Sequence, residues 1–255
     1  MEKLPPEALR ALQSAGHILV FTGAGMSADS GIPTFRDALT GLWSRFDAEQ
    51  LATPEAFRRD PALVWGWYEW RRGKALQAQP NPGHIAVAAL QQHTRRLTVV
   101  TQNVDDLHER AGSRAVIHLH GSLHQPRCFR CGQSFTQTGA PDEPEGGRRL
   151  PPPACGSCGG PIRPGVVWFG EALPTDALAA AEAAVRSCDV MMVVGTSGLV
   201  YPAAALPILA LRLGKPVLHV NPQAPGTELT GALWLPGRAG ELLPALVAAL
   251  NPHQR

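Results

Sequence analysis

The glycine-rich segment Gly23–Ala28 is the part of this 255-residue chain best suited to chemistry. It follows the apolar run His17–Phe21, which predicts a buried strand that ends in a tight turn. The spacing Gly-x-Gly-x-x-Ala is typical of a loop whose backbone N–H groups approach the pyrophosphate of a dinucleotide. Gly31 and Pro33 then interrupt the helix that would follow this loop in a dehydrogenase, because proline removes an N–H donor and fixes φ. The sequence therefore predicts a dinucleotide-binding loop with a second task.

Polar side chains also follow four other apolar runs, at the points where the predicted strands end. These clusters are Thr101–Asp106, His118–Gly121, Gly195–Ser197 and Asn221–Pro222. Each one alone is explained by helix capping. In an open α/β sheet, however, ligands bind beyond the carboxyl ends of the strands, so all four would border one crevice. Asn103 and Asp105 are suited to hydrogen-bonding a carboxamide. Thr196 and Ser197 are suited to holding phosphate or ribose.

His120 is the best candidate for a general base among the nine histidines. It stands at the end of the predicted strand Val116–Leu119, directly before Gly121, where it would border the crevice. Imidazole suits proton transfer because its pKa lies near neutrality. His118 lies on the same strand face two residues earlier. His84, close to a predicted helix start, is expected to make a structural hydrogen bond.

Four of the five cysteines form two Cys-x-x-Cys pairs, Cys128 with Cys131 and Cys155 with Cys158, and 23 residues separate the pairs. In a reducing compartment this pattern predicts four thiolates around one zinc ion rather than two disulfides. The segment has few aromatic residues and no large basic cluster. We therefore interpret the zinc as a structural staple, not as part of a nucleic-acid-binding ribbon. Cys188 is expected to be a small core residue.

The composition describes a soluble globular protein: 44% of the residues are hydrophobic, 17% are charged, and the formal net charge is +2. So slight a charge gives no support for nucleic-acid binding. The N-terminal segment has no signal-peptide core, and no apolar run approaches the length of a membrane span. We therefore expect a cytoplasmic protein with no membrane or nucleic-acid partner, and a monomer by default.

Predicted strands alternate with predicted helices, which favours a doubly wound parallel α/β sheet of the Rossmann type. The predicted helices include Pro5–Ala15, Pro61–Ala78, Pro82–His93 and Glu241–Leu250, and the predicted strands include Leu97–Thr101, Val166–Phe169, Asp189–Val194 and Val217–Val220. The Pro-, Gly- and Cys-rich segment breaks this alternation. We expect a dinucleotide-binding domain of residues 1–124 and 164–255, an inserted zinc module of residues 125–163, and a helical cap from part of residues 37–80.

Taken in chain order, these motifs resemble those of the sirtuin family. The resembling segments are Gly23–Ala28, Ser30–Arg36, Thr101–Asp105, His120–Gly121, the four cysteines, Phe169–Glu171 and Gly195–Ser197. The agreement around them runs in order from about Ile18 to Ala239, which is most of the chain. The resemblance implies an enzyme, an NAD-dependent protein-lysine deacylase, and not an oxidoreductase.

The resemblance also implies roles for the candidate residues. His120 would be the base that activates a ribose hydroxyl after the acyl oxygen has attacked the nicotinamide ribose carbon. Asn103 and Asp105 would order the ribose and hold the carboxamide. A mobile loop with Phe35 and Arg36 would close over the cofactor and exclude water. The implied cofactor-binding residues are Gly23, Ala24, Gly25, Ser27, Phe35, Arg36, Gln102, Asn103, Asp105, Gly195, Thr196, Ser197, Asn221 and Ala239.

The implied substrate is an acyl-lysine protein or peptide, and the products are nicotinamide, O-acyl-ADP-ribose and free lysine. Val166–Glu171 and Leu199–Pro202 resemble the family's two substrate-binding strands, between which an extended peptide would be added as a further strand. Val167 and Phe169 would then line an apolar tunnel for the lysine.

Tyr68 and Arg71 form a Tyr-x-x-Arg pattern on the predicted helix Pro61–Ala78. Positions i and i+3 share a helix face, so a phenol and a guanidinium can bind one anion. The pattern resembles the sirtuin branch that removes succinyl and malonyl groups, and the small Ala38 would leave room for such chains. The other interpretation is a surface arginine beside a half-buried tyrosine. Residues 36–43, which border this acyl pocket, are one residue longer than the family pattern.

Three other functions share these features: a sirtuin that mainly removes acetyl groups, a mono-ADP-ribosyltransferase, and an NAD-sensing module without turnover. His120 together with Asn103 and Asp105 favours the deacylase over the module, because a binding module needs no general base.

Overall fold

The structure is a computed structural model that describes residues 4–32, 47–137, 139 and 147–250. Three residues singled out in the sequence, Phe35, Arg36 and Ala38, lie outside the described residues.

The described residues form a six-stranded parallel sheet and a separate antiparallel pair of strands. The strands are β1 His17–Thr22, β2 Arg96–Thr101, β3 Val116–His118, β4 Gly121–Cys128, β5 Ile162–Val166, β6 Val190–Val194, β7 Val217–Val220 and β8 Leu233–Leu235. The parallel sheet has the order β3-β2-β1-β6-β7-β8, and β4 pairs with β5. This is the doubly wound order of dinucleotide-binding folds, so the predicted fold class is confirmed.

Proline and a capping side chain mark the start of three of the helices. The helices are α1 Pro6–Ser14, α2 Ala48–Leu51, α3 Pro54–Arg59, α4 Pro61–Gln77, α5 Pro82–Ala89, α6 Leu107–Arg110, α7 Thr175–Ser187, α8 Ala205–Arg212 and α9 Ala239–Leu250. Thr53, Asp60 and Asn81 precede the first residues of α3, α4 and α5, and each side-chain oxygen accepts a backbone N–H of the first turn. Proline suits the position that follows, because that residue has no intrahelical N–H partner to lose. In the described part of the chain, no helix is both long and apolar enough to cross a membrane.

Both faces of the parallel sheet are covered by helices. Side chains alternate along β1, so Ile18 and Val20 pack in one cluster with α1, α5 and α9. Leu19 and Phe21 pack on the opposite face with α7 and α8. The continuous apolar runs of β1 and β6 follow from this double burial.

A third apolar cluster lies apart from both faces of the sheet. It joins α2, α3 and α4 to the β4–β5 ribbon, and it contains Trp65, Trp67, Trp70, Trp168 and two of the paired cysteines. Helix α4 therefore packs against the cysteine-rich ribbon. The domain boundaries at residues 124 and 163 stay a prediction.

Two predicted elements differ from the structure. The predicted helix Pro82–His93 is shorter, since α5 ends at Ala89 and a single 3-10 turn follows at Leu90–Gln92. The predicted strand Val166–Phe169 lies earlier, at Ile162–Val166, and leaves the ladder afterwards. The reason is that the next backbone N–H groups have other partners: Trp168 N donates to the Glu171 carboxylate, and Phe169 N donates to the Ala52 carbonyl.

Candidate active site

A cleft of about 790 Å³ opens beyond the carboxyl ends of β1, β2, β6 and β7. The strand order reverses between β1 and β6, which is where open α/β sheets bind ligands. Helix α4 and residues 166–171 line the other side of the cleft. The described residues predicted for the site all line this one cleft, namely Gly23, Ala24, Gly25, Ser27, Tyr68, Arg71, Gln102, Asn103, Asp105, His120, Val167, Phe169, Gly195, Thr196, Ser197, Asn221 and Ala239.

Two glycine turns touch each other at the floor of the cleft. Gly25 N donates to Gly195 O at 2.8 Å, and a Cβ added at Gly25 would lie 2.8 Å from the Gly195 Cα. Gly195 has a φ of +61°, and a Cβ there would lie 2.4 Å from Met26 N. Neither position tolerates a side chain, so the floor is built of bare backbone. Such a surface suits the close approach of a pyrophosphate.

A buried hydrogen-bonded chain joins the first glycine turn to the loop after β2. Asn103 Nδ2 donates to Ser27 Oγ at 3.0 Å, and Ser27 Oγ donates to Asp105 Oδ2 at 3.0 Å. The other Asp105 oxygen accepts the backbone N–H of Leu107. Burial raises the pKa of Asp105, while these two hydrogen bonds oppose the shift. The amide, hydroxyl and carboxylate are thus held in place before any ligand binds.

His120 is set up as a base by its partner. Its Nδ1 lies 3.0 Å from the Gln102 carbonyl oxygen, which can only accept a hydrogen bond. The hydrogen of the neutral ring therefore sits on Nδ1, and Nε2 carries the lone pair. Burial lowers the pKa of His120, against the opposing effect of that hydrogen bond, so the neutral form is favoured.

His118 differs from His120 although the two rings bind neighbouring carbonyls. Its Nδ1 lies 3.1 Å from the Asn103 carbonyl oxygen, and its Nε2 lies 2.7 Å from a Glu109 carboxylate oxygen. Burial opposes the charged form, but the Glu109 hydrogen bond and charge outweigh it and raise the pKa of His118. Both ring nitrogens are occupied, so His118 is not poised to act as a base in the cleft.

Two buried histidines under the strand ends, His84 and His108, complete the network, and no sequence pattern singled out His108. His108 Nε2 lies 3.1 Å from the Thr22 hydroxyl, which donates to Thr101 Oγ1. Thr101 Oγ1 in turn accepts the backbone N–H of Asn103. The His84 ring packs edge-on against that of His108, with centroids 4.9 Å apart. His84 Nδ1 accepts the Asn81 N–H within a capping box, which confirms its predicted structural hydrogen bond.

These two histidines predict a loss of stability in mild acid. Burial lowers the pKa of His84 to about 4 and that of His108 to about 3. In the unfolded chain each imidazole binds a proton below its ordinary pKa near 6.5, whereas the folded protein keeps it neutral. Each should therefore reduce the free energy of unfolding by up to about 1.4 kcal/mol per pH unit as the pH falls from 6.5 toward 4. Thermal unfolding midpoints measured between pH 7.5 and 5 should fall accordingly.

The slope of the unfolding midpoint against pH tests whether the two buried histidines cause the loss of stability. His108→Asn removes one titrating ring and should flatten the dependence, whatever it does to stability at neutral pH. His93→Gln, at a half-buried histidine after the 3-10 turn that follows α5, is the matched control for loss of an imidazole outside this buried pair. An unchanged slope in His108→Asn would contradict the assignment.

Tyr68 and Arg71 form part of the wall that α4 contributes to the cleft. The Arg71 guanidinium lies 5.1 Å from the Trp67 ring centroid and 5.4 Å from that of Tyr68. Burial lowers the pKa of Arg71, while Tyr68 and Asp105 oppose that shift. Burial raises the pKa of Tyr68 to about 12, so its hydroxyl keeps its proton at neutral pH.

Two neighbouring charged side chains of α4 bind each other and the cysteine-rich segment. Glu69 and Arg72 form a buried pair at 3.1 Å. Gln137 and the Gly139 carbonyl of the cysteine-rich segment also bind them. Lys74, one turn after Arg71, also lines the cleft, although it was not among the predicted site residues. The i+3 spacing that linked Tyr68 to Arg71 continues to Lys74 and was the available signal.

The sulfur atoms of the four paired cysteines lie close together, as predicted. Cys128 and Cys158 have sulfur atoms 3.5 Å apart, those of Cys131 and Cys155 are 3.8 Å apart, and all four lie within 4.8 Å of one another. Four thiolates at about 2.3 Å from a tetrahedral zinc would have sulfurs about 3.8 Å apart. Backbone N–H groups of both turns donate to the sulfurs: Arg130 N donates to Cys128 Sγ, and Gly160 N donates to Cys158 Sγ. The geometry fits one zinc ion.

A model of the Sir2 family matches residues 23–202. Among curated proteins, an NAD-dependent protein deacylase of Methylococcus capsulatus is 58% identical over 246 residues, which cover 96% of each chain. The NAD-dependent protein deacylase 1 of Pseudomonas aeruginosa is 59% identical over 243 residues, covering 94% of this chain and 97% of that protein.

Solved structures give the same result. The crystal structure of a Sir2 homologue–NAD complex superposes with a TM-score of 0.88 at 45% identity, covering 97% of this chain and 94% of the other. A Sir2 variant with a deacetylated p53 peptide and 3'-O-acetyl ADP ribose has a TM-score of 0.81 at 31% identity, with 95% and 97% covered.

Proposed function

This chain belongs to the Sir2 family and is an NAD-dependent protein deacylase, and we propose that it acts preferentially on lysines that carry an acidic acyl group, succinyl or malonyl. Acetyl-lysine is the weaker substrate in this proposal. The observation that carries it is the presence of Tyr68 and Arg71 together in the wall of the cleft.

The charge and shape of the cleft wall favour an acidic acyl group. Much of the α4 wall is apolar, with Trp67 and Trp70 in it, so an acyl chain would lose water on entering. A carboxylate in such surroundings needs a charged partner, and a guanidinium matches it with a two-pronged set of donors. Tyr68 adds a hydroxyl donor, and Lys74 adds a second positive charge. Acetyl-lysine gains nothing from these groups.

We assign the proton transfer to His120. When bound, NAD would supply the ribose carbon at which the acyl oxygen replaces nicotinamide; one water is consumed overall, and the products are nicotinamide, O-acyl-ADP-ribose and free lysine. His120 Nε2, with its free lone pair, takes the proton of a ribose hydroxyl. The hydrogen bond from Nδ1 to the Gln102 carbonyl keeps the neutral ring in that tautomer until Nε2 takes up the proton.

The chain of polar groups from Ser27 to Asp105 positions the nicotinamide ribose and carboxamide in this proposal. The bare backbone of Gly23–Gly25 and Gly195 holds the pyrophosphate. Thr196, Ser197, Asn221 and Ala239 face the adenosine side. Phe35 and Arg36, outside the described residues, keep the predicted role of a closing loop.

The protein substrate binds as an extended chain between residues 166–171 and 199–202. Three large side chains of these segments, Phe169, Leu199 and Tyr201, are exposed although apolar or aromatic. Exposed groups of this kind around a cleft are typical of a binding surface. Val167 and Phe169 line the cleft where the lysine enters.

The test compares succinyl-, malonyl- and acetyl-lysine forms of one peptide by the rate of nicotinamide release. The parent protein should show the higher kcat/KM for the two acidic groups. Arg71→Met should lower the succinyl value by roughly 30- to 1,000-fold, which corresponds to about 2–4 kcal/mol for a charged hydrogen-bonded partner in a dry pocket. The acetyl value should change far less.

Arg59→Met is the matched control, because Arg59 is an exposed arginine on α3 that does not line the cleft. It should leave the succinyl-to-acetyl ratio at the parent value. A parent protein that prefers acetyl-lysine, with a ratio unaffected by Arg71→Met, would reject the acidic-acyl preference and leave a deacetylase.

A further inference from the structure

We propose that Trp168 is a positioning residue that directs the Tyr68 hydroxyl hydrogen into the cleft, toward the carboxylate of an acidic acyl group. The inference rests on the proposed function, and it concerns a residue outside the Tyr-x-x-Arg pattern. Its starting point is one hydrogen bond, in which Trp168 Nε1 donates to the Tyr68 phenolic oxygen at 3.1 Å.

The chemistry of the two groups determines where the hydrogen goes. An indole N–H is a donor only, so the phenolic oxygen must be the acceptor. The Tyr68 O–H therefore cannot point at Trp168. The adjacent Arg71 guanidinium offers donors and no acceptor. Among the described residues, none accepts a hydrogen bond from the Tyr68 hydroxyl, and Tyr68 itself lines the cleft. Its donor is thus reserved for a ligand.

The indole is held so firmly that its N–H has one direction. The Arg163 guanidinium lies 3.5 Å from the Trp168 ring centroid, and Glu171 binds that guanidinium with both carboxylate oxygens. Glu171 also accepts the backbone N–H of Trp168 at 2.9 Å. Phe57 packs against the ring on another side, with centroids 5.4 Å apart. Trp168 is buried, so its N–H is shielded from solvent.

This arrangement affects acyl groups selectively. A carboxylate accepts the reserved O–H and so gains from its fixed direction, since less rotational freedom is lost on binding. An acetyl methyl group accepts no hydrogen bond. Loss of the indole N–H should therefore change the ratio of the two activities, whereas a merely structural role of Trp168 would change both alike.

The experiment replaces Trp168 by 3-benzothienylalanine, which keeps the two-ring shape and lacks the N–H, and in parallel makes Trp168→Phe. We expect the succinyl-to-acetyl ratio of kcat/KM to fall about five- to tenfold in both, mainly through KM for the succinyl peptide. In a Tyr68→Phe background the same replacements should have no further effect on the ratio, because the hydroxyl is gone. The same isostere at Trp65, a buried α4 residue that does not line the cleft, is the matched control.

The outcomes separate this inference from the function on which it rests. If Tyr68→Phe and Arg71→Met shift the ratio and the isostere at Trp168 does not, the orienting role alone is overturned. An effect of the isostere that persists in the Tyr68→Phe background overturns it as well. If neither Tyr68→Phe nor Arg71→Met shifts the ratio, the acidic-acyl preference fails and the role of Trp168 fails with it.

Discussion

Replacing His120 by alanine is expected to lower kcat for acyl-lysine peptides by about 10²- to 10⁴-fold while NAD still binds. The loss follows from removing the base, since a positioned proton acceptor contributes that much to a rate. Binding should survive because the glycine turns and the Ser27 to Asp105 chain do not depend on the imidazole. Nicotinamide release under saturating peptide gives kcat, and calorimetric titration gives the affinity for NAD.

His118→Ala is the control that separates a base from a structural ring. His118 does not line the cleft, and both of its nitrogens are engaged, by Asn103 and Glu109. Its replacement should lower kcat much less than that of His120. Undiminished turnover in His120→Ala would place the base elsewhere.

Analysis of the other products distinguishes deacylation from the two rival uses of NAD, since ADP-ribosyl transfer also releases nicotinamide. Mono-ADP-ribosyl transfer would label a protein and leave the acyl-lysine intact, whereas deacylation releases free lysine and O-acyl-ADP-ribose. A binding module would release neither. The relatives named as deacylases support deacylation over the other two outcomes.

The sheet and the nucleotide side of the cleft could be predicted because the sequence patterns that specify them are short and continuous. Each buried run ends in a glycine or polar cluster, as with Gly23 after β1 and Gly195 after β6. The doubly wound topology brings such ends to one edge without further knowledge of side chains. His120 could be selected by the same argument, from its place two residues beyond the end of β3.

The remaining contacts join residues far apart in sequence, so no local pattern reveals them. Trp168 and Tyr68 are 100 residues apart, yet share a hydrogen bond. His84 and His108 meet only because α5 packs on α6. The ribbon strand β4 was missed because its sequence, Gly121–Cys128, is largely polar and contains a proline. Strands of two-stranded ribbons are half exposed and lack the apolar runs by which buried strands are found.

Loss of the four-cysteine site should disturb the acyl pocket more than the parallel sheet. Cys131→Ser removes an exposed ligand with no packing role of its own, so its effect should come from the metal. We expect zinc to fall from one ion per chain to none, with a loss of several kcal/mol in the stability of the ribbon, since metal binding is folding free energy in small modules. Metal analysis and tryptophan fluorescence measure the two effects.

Tryptophan fluorescence reports mainly on this part of the molecule, because four of the six tryptophans lie there. Trp65, Trp67, Trp70 and Trp168 belong to the cluster that contains Cys128 and Cys155, whereas Trp234 is an exposed residue of β8 and Trp43 lies outside the described residues. The same cluster includes Tyr68, so a loosened ribbon should reduce succinyl turnover along with the emission change. Circular dichroism should meanwhile retain most of the helical signal, because α1, α5, α7, α8 and α9 pack on the sheet.

Cys188→Ala is the matched control, since Cys188 is buried beside the sheet and is not one of the four clustered thiols. It should keep one zinc per chain and the parent emission spectrum. If Cys131→Ser loses its zinc but keeps both its emission and its succinyl turnover, the metal does not support the acyl pocket. If instead the whole helical signal is lost, the ribbon and the sheet unfold as one unit. The three apolar clusters are then separate in space but not in their stability against unfolding.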